Sequence, residues 1–231
     1  MNHTKPDTLP PEFDFARFEQ FCKRGFSRGV GKADGRVCIE AAISLCMGEG
    51  LSDKPSCVHP VIRAHAIRLN DACWSSPAAR SAGLCDYGLA QLGTANLDGV
   101  EFAKRLALAT IREILPIVLR RARLEERATA CENAKTNREA LTAARAAKNA
   151  AYAAYAAVAY ASASASVAAA DAAVADAAYA AYAAAYAAAC ASVAAYAAAY
   201  AASASVAERN RILSLSAQIA TRIINEMRSA Q

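Results

Sequence analysis

The chain has 231 residues, of which 55% are hydrophobic and 20% charged, and its formal net charge is +5. This length suits one or two domains, and so mild a positive charge does not by itself indicate a nucleic-acid-binding protein. The first residues are polar and lack the apolar stretch of a secretory signal, so we expect a cytoplasmic protein.

Composition divides the chain into five segments, and no stretch shows the alternating pattern of a strand. We therefore predict an all-α protein with a compact helical head and long Ala/Tyr-rich helices, packed as a hairpin or a coiled-coil bundle. The segments are a flexible arm (1–11), the helical head (12–120), a connecting helix (121–150), an Ala/Tyr-rich stalk or hairpin (151–207) and an amphipathic C-terminal helix (208–231).

A basic, glycine-rich loop at 24–36 follows the first predicted helix. It holds four glycines and four basic residues and leads into a predicted helix at 37–47, with Asp34 as the N-cap. Open backbone amides beside a helix N-terminus favour a bound anion. The alternative is a turn that simply requires the backbone freedom of glycine.

A second polar stretch precedes the helix that starts near residue 76. Ser76 followed by Pro77 is a strong helix start. Trp74, the only tryptophan, is expected to pack this helix on the core, with stacking on a ligand ring as the alternative. The residues that we predict to bind a ligand are Lys32, Asp34, Arg36, Arg63, Arg68, Asn70, Trp74, Ser75, Ser76 and Arg80.

The last part of the head is a long predicted helix. Asp98 and Glu101 form a capping box at its start, and Pro116 is expected to kink it. Beyond Arg120 the sequence is rich in Arg, Glu and Ala with few large apolar residues. That composition indicates an exposed connecting helix.

Residues 151–207 are dominated by alanine, with 35 Ala and eight Tyr among 57 residues and no Gly or Pro. Alanine is the best helix former, so we predict continuous or nearly continuous helix. Side chains that recur every seven residues form a heptad seam, which should pair helices within one chain or between chains of a homo-oligomer. The seam consists of Tyr179, Tyr182, Tyr186, Val193, Tyr196 and Tyr200.

Six of the eight cysteines fall at irregular spacing among apolar positions and are interpreted as reduced, mostly buried thiols. They are Cys22, Cys38, Cys46, Cys57, Cys73 and Cys85. No CxxC motif occurs, so we expect no metal site and no cofactor. Cys38 with Glu40, and Cys57 with His59, lack the spacing of a recognised nucleophile and base, so we do not expect an enzyme. The long uncharged runs contain no Leu, Ile or Phe, which argues against membrane insertion.

Four stretches of the head carry a resemblance to a known family. They are GKADGRVCIEAA (31–42), IRLND (67–71), WSSPAAR (74–80) and LAQLG (89–93). With them the chain resembles an uncharacterised family of bacterial and bacteriophage proteins that join such a head to an Ala/Tyr-rich tail. The resemblance implies no catalytic residues. It implies a context in which small proteins bind a host factor or sequester a host signal.

Two hypotheses for function follow. The first is a non-enzymatic oligomeric protein that sequesters a small anionic, nucleotide-like ligand or blocks a host component. The second is a structural or oligomerisation scaffold whose head docks on a macromolecular partner. A nucleic-acid partner is not expected under either hypothesis.

Overall fold

The structure, a computed structural model, describes residues 10–153, 163, 164, 167, 168 and 206–231. Within these residues the regular structure is helical, which confirms the all-α prediction. An isolated β-bridge joins Gly31 and Val37. The elements are α1 Phe15–Arg24, α2 Ile39–Cys46, α3 Pro60–Asn70, α4 Pro77–Gln91, α5 Gly99–Ala109, a π-helical turn Thr110–Ile114, α6 Leu115–Arg121, α7 Glu125–Glu132, α8 Asn137–Ala153 and α9 Val206–Ser229.

Side-chain caps explain where α4 and α5 begin. The Ser76 hydroxyl accepts a hydrogen bond from the Ala79 amide at 3.0 Å, and Pro77 lies in the first turn. The Asp98 carboxylate caps α5 in the same way. Each cap satisfies amides that have no partner within the helix. Both helices therefore begin where the sequence predicts.

The helix predicted at 37–47 begins later, at Ile39, and Asp34 is not its N-cap. The thiol of Cys38 accepts the bond from the Ala41 amide instead. The bridge from Gly31 holds Val37 in an extended conformation, so the helix starts only after this residue.

The kink predicted at Pro116 takes the form of the π-helical turn Thr110–Ile114. Proline has no amide hydrogen and cannot continue the regular hydrogen-bond ladder. Just before it, the Leu115 amide donates to the Thr110 carbonyl, five residues back. The wider turn is the local adjustment that such an interruption calls for.

The C-terminal helix α9 completes the core rather than projecting from it. It packs chiefly against α4 and also contacts α3 and α5. Its buried apolar side chains recur at helical spacing, as the amphipathic pattern predicts. They include Ile212, Ile219, Ile223 and Met227.

Residues 121–150 contain two helices, whereas the sequence predicts one connecting helix. Arg123, at φ 60°, separates α6 from α7, and residues 133–136 separate α7 from α8. Both helices lie on the head, because their small side chains belong to the same core as those of α1–α6. The buried positions include Ala128, Cys131, Ala140, Ala144 and Ala147.

The hairpin or coiled-coil prediction falls mostly outside the described residues, as does most of the predicted arm at 1–11. The packed helices that the structure does describe show no coiled coil. The predicted seam lies wholly outside the described residues; its positions are Tyr179, Tyr182, Tyr186, Val193, Tyr196 and Tyr200.

A disulfide joins Cys22 in α1 to Cys85 in α4, across a sequence separation of 63 residues. The prediction of reduced thiols is therefore wrong for this pair, which a contact between two distant helices brings together. Among the residues that the structure describes, none of the helices combines the length and hydropathy that a membrane span requires.

Candidate functional site

An open groove lies between the loop at 24–36 and the start of α4. Its volume is about 630 Å³, which is within the range of small-molecule sites. We call it the arginine groove. It contains five of the ten predicted ligand-binding residues. Its lining consists of Ser27, Arg28, Arg36, Cys73, Trp74, Ser75, Ser76, Pro77 and Arg80.

Several amides of the loop at 24–36 donate hydrogen bonds within the protein. The Ser27 amide donates to the Val37 carbonyl at 2.9 Å, and the Lys32 amide donates to the Arg36 carbonyl at 3.1 Å. Gly31 has φ 81°, and a Cβ there would lie 2.2 Å from the Arg36 carbonyl oxygen. The structure thus supports the turn interpretation, and these amides are not open to an anion.

The three predicted residues of this loop have different positions. Arg36 lines the arginine groove, and its Nε donates to the Arg24 carbonyl at 3.1 Å. Lys32 and Asp34 are exposed and do not line the groove. The loop therefore contributes guanidinium groups to the groove rather than a nest of backbone amides.

Gly25 lets the loop approach the start of α4. Its φ is +85°, and a Cβ there would lie 2.7 Å from the carbonyl carbon of Pro77. We expect Gly25→Ala to lower the free energy of unfolding by about 2–3 kcal/mol through backbone strain and the clash. Urea denaturation will measure this change in the free energy of unfolding.

Gly29→Ala is the matched control for this change. Gly29 also has a positive φ, of +60°, but no atom lies within 4 Å of its added Cβ. The free energy of unfolding of Gly29→Ala should fall by about 1 kcal/mol, through backbone strain alone. Equal losses for the two variants would show that the contact between the loop and α4 is not close.

Arg80 is the buried member of the arginine groove, with 6% of its surface exposed. Its Nε donates to the Asn70 carbonyl at 2.7 Å, and its Nη1 donates to the Phe26 carbonyl at 2.8 Å. Burial lowers the pKa of Arg80, and the positive charge of Arg28 lowers it further. Two guanidinium groups thus lie close enough to repel each other.

Arg28 is exposed, and its Nη2 donates to the Cys73 sulfur at 3.0 Å. The neighbouring Asp71 carboxylate accepts from the Gly29 amide and from the Asn70 side chain, each at 2.9 Å. Asp71 also lies near enough to Arg80 to offset part of its charge environment. The residues that line the groove include three arginines and no carboxylate, so the groove keeps a local excess of positive charge.

Asn70 and Trp74 have structural roles, although both were predicted to bind a ligand. The Asn70 amide is buried and donates to the Ser27 carbonyl, and its oxygen accepts from the Ile39 amide. The Trp74 indole donates to the Leu69 carbonyl, and its ring packs where a side chain at Gly83 would stand. Trp74 packs α4 as predicted, and its ring is not open for stacking.

Ser75 and Ser76 lie at the rim of the groove. Ser75 is tied to α9, because its amide donates to the Asn210 oxygen and its hydroxyl accepts from the Asn210 nitrogen at 2.7 Å. The other two predicted arginines lie elsewhere: Arg63 and Arg68 are on α3 and do not line the groove.

Comparisons with protein-family models, with curated proteins and with solved structures give no significant match to this chain. The family resemblance therefore stays a prediction, and the functional argument depends on the groove itself.

The cysteines considered as nucleophiles have their pKa values shifted in the unfavourable direction. Burial raises the pKa of Cys38 to about 12 and that of Cys57 to about 11. A catalytic thiol needs a lowered pKa, because the thiolate is the reactive form. In the described part of the chain, His, Cys, Asp and Glu form no group of three or more that could hold a metal ion.

Arg28, Ser27 and Cys73 line the groove but are not among the predicted ligand-binding residues. Arg28 is one of four basic residues in the loop, and no local sequence signal distinguishes it from Lys32. What distinguishes Arg28 is its contact with Cys73, 45 positions away. Only the packing of the loop at 24–36 against the segment between α3 and α4 creates that contact.

Proposed function

We propose that this protein binds a small phosphate-bearing anion in the arginine groove, without catalysing a reaction. The observation that carries the proposal is the convergence of Arg28, Arg36 and Arg80 on one open groove. No ion pair within the described residues joins any of the three to a carboxylate. By contrast, Arg105, Arg120, Arg121, Arg211 and Arg222 are all paired in this way.

Phosphate is the anion best suited to this groove. Guanidinium groups bind phosphate oxygens with two parallel hydrogen bonds, and such charge-assisted bonds are about twice as strong as neutral ones. The groove also opens at the N-terminal end of α4, where the helix dipole favours negative charge. Because Trp74 is covered, we expect recognition of the phosphate part of a nucleotide-like ligand rather than of its base.

The Ala/Tyr-rich segment adds an expectation about oligomeric state. We propose that the Tyr/Val seam at 179–200 pairs helices in a homo-oligomer of cytoplasmic location, so that each chain presents one groove. Sequestration of a small anion, as in the bacterial and phage context suggested by the resemblance, would then be the biological role. Light scattering at micromolar concentration tests the oligomer, and a monomer would contradict it.

Calorimetric titration with inorganic pyrophosphate tests the proposed function. Wild type should bind, and Arg28→Ala combined with Arg36→Ala should weaken binding by about 100-fold or more, because each charge-assisted bond contributes about 1.5–3 kcal/mol. Binding should also weaken as salt concentration rises.

The matched control combines Lys32→Ala with Arg68→Ala. It removes the same amount of charge from exposed positions outside the groove and should change the affinity by less than about threefold, through screened long-range attraction alone. An equal loss for both double variants would indicate nonspecific attraction. If wild type forms a defined oligomer but does not bind pyrophosphate, the scaffold hypothesis is favoured instead.

A further inference from the structure

A second depression in the surface leads to the disulfide between α1 and α4. Its volume is about 260 Å³, and both Cys22 and Cys85 line it. Cys22 is 8% exposed and Cys85 only 1%. A small reductant that enters the depression therefore reaches Cys22 first. Lys23 and Glu19 both line the depression, so their charges offset each other.

The disulfide and the arginine groove are built on the same two segments. Arg28 follows Cys22 by only six positions, and Arg80 precedes Cys85 by five. Between them the backbone of Gly25 rests on Pro77. The carbonyl of Phe26, the next residue, accepts from Arg80 at 2.8 Å. The covalent bond thus fixes the relative position of the two walls of the groove.

We propose that thiol–disulfide exchange at Cys22–Cys85 regulates anion binding in the arginine groove. This inference rests on the proposed function of that groove. A phosphate group must contact Arg28 and Arg36 on the loop and Arg80 on α4 at the same time. Reduction removes the covalent link between α1, which leads into the loop, and α4. The three guanidinium groups are then held in position only by the non-covalent contacts of the loop, and their geometry is less fixed.

The exchange uses a dithiol as the reductant. One thiolate of the dithiol attacks the sulfur of Cys22, the S–S bond breaks, and the Cys85 sulfur leaves as a thiolate that takes up a proton. The second thiol of the reagent loses its proton and attacks the mixed disulfide. This closes the oxidised reagent and releases Cys22, which is then protonated. Two electrons and two protons pass to the protein.

The test measures pyrophosphate affinity of the full chain before and after treatment with dithiothreitol. Calorimetry should show about tenfold weaker binding after reduction, within the usual range of coupling between two sites. Alkylation followed by mass spectrometry should show two additional modified cysteines in the reduced sample. Far-ultraviolet circular dichroism should be unchanged, because the helices remain packed through their apolar faces.

Cys22→Ser combined with Cys85→Ser is the variant that locks the reduced form. It should bind pyrophosphate like reduced wild type and should not respond to dithiothreitol. If this variant does not fold, reoxidation of reduced wild type replaces it and should restore the original affinity. Cys57→Ser is the control and should keep the full response to the dithiol.

The outcomes separate this inference from the proposed function. Equal affinity in the oxidised and reduced forms would overturn the regulation and leave anion binding intact. A disulfide that stays oxidised in the native protein under excess dithiothreitol would also overturn it, as would loss of helical signal on reduction. Absence of pyrophosphate binding in both forms would overturn the proposed function and the regulation together.

Discussion

Replacing Glu40 with glutamine should remove a large part of the pH dependence of folding stability. Glu40 is fully buried in α2, and burial raises its pKa from 4.5 to about 8. Within the described residues, neither its carboxyl oxygens nor the amide atoms of the nearby Gln91 form a hydrogen bond of normal geometry, although Gln91 is close enough to offset part of the rise in the pKa. The neutral acid is therefore the form that the fold accommodates at neutral pH.

The sign of the effect follows from proton linkage. Between pH 4.5 and about 8 the unfolded chain has released the Glu40 proton and the folded chain has kept it. The free energy of unfolding therefore falls as pH rises, by up to ~1.4 kcal/mol per pH unit. This contribution is complete below pH 4.5 and is lost once pH passes the folded-state pKa.

His65 has the opposite effect on the free energy of unfolding, over a lower pH range. Burial lowers its pKa from 6.5 to about 3, and its ring nitrogens contact the hydroxyls of Tyr87 at 2.8 Å and Ser216 at 3.3 Å. Its contribution falls as pH drops below 6.5, because only the unfolded chain takes up the proton. The two slopes cancel between pH 4.5 and 6.5, so the Glu40 slope should be visible above pH 6.5.

Urea denaturation from pH 4.5 to 8.5 measures this prediction. From pH 6.5 to 8 the Glu40 contribution to wild type should fall by about 2 kcal/mol, and Glu40→Gln should lack this decline. Glu126→Gln, at an exposed position in the first turn of α7, is the control and should follow wild type. A variant curve parallel to wild type over this range would show that Glu40 is ionised in the fold.

Replacing Arg80 with alanine should destabilise the protein by about 3–5 kcal/mol, because it removes a buried, hydrogen-bonded charge. The change leaves the carbonyls of Asn70 and Phe26 without their donor, and buried unpaired carbonyls are costly. Arg80→Lys should recover only part of the loss, since one ammonium group does not have the planar fork of a guanidinium.

Thermal and urea unfolding measure the effect of Arg80, with Arg68→Ala as the control. Arg68 is exposed on α3, and its loss should change stability by less than about 0.5 kcal/mol. A loss below about 1 kcal/mol for Arg80→Ala would mean that water reaches the two carbonyls. Because Arg80→Ala is expected to weaken the fold, Arg28 and Arg36 are the better positions for binding tests.

Local chemistry made the helices and several of their starts predictable from sequence. The start of α4 depends on Ser76, Pro77 and the amide of Ala79, which are close together in the sequence. The start of α5 depends in the same way on Asp98 and the amides that follow it. The prediction of an exposed helix beyond Arg120 was wrong. It rested on the scarcity of large apolar residues in that segment. Alanine and cysteine pack helices closely without bulk, so α7 and α8 join the core despite their polar composition.

The groove was predicted only in part, because its geometry depends on contacts between distant residues. The stretches around Arg36 and Arg80 each carry visible polar residues, and both proved to line it. The contact between Ser75 and Asn210 spans 135 positions, and the Cys22–Cys85 bond spans 63. No local pattern encodes such partners, so Asn70 and Trp74 were assigned to a ligand although both hold the backbone.

The position of α9 has a consequence for the order of folding during synthesis. Its apolar face covers α4, and its Ser216 reaches His65 in the middle of the head. After α6 ends at Arg121, the ribosome must add more than one hundred residues before Met227 exists, which takes roughly 5–20 s at ordinary elongation rates. Throughout that interval the apolar surface of α4 lacks the helix that covers it in the finished protein, so we expect the nascent head to be prone to aggregation until α9 is made.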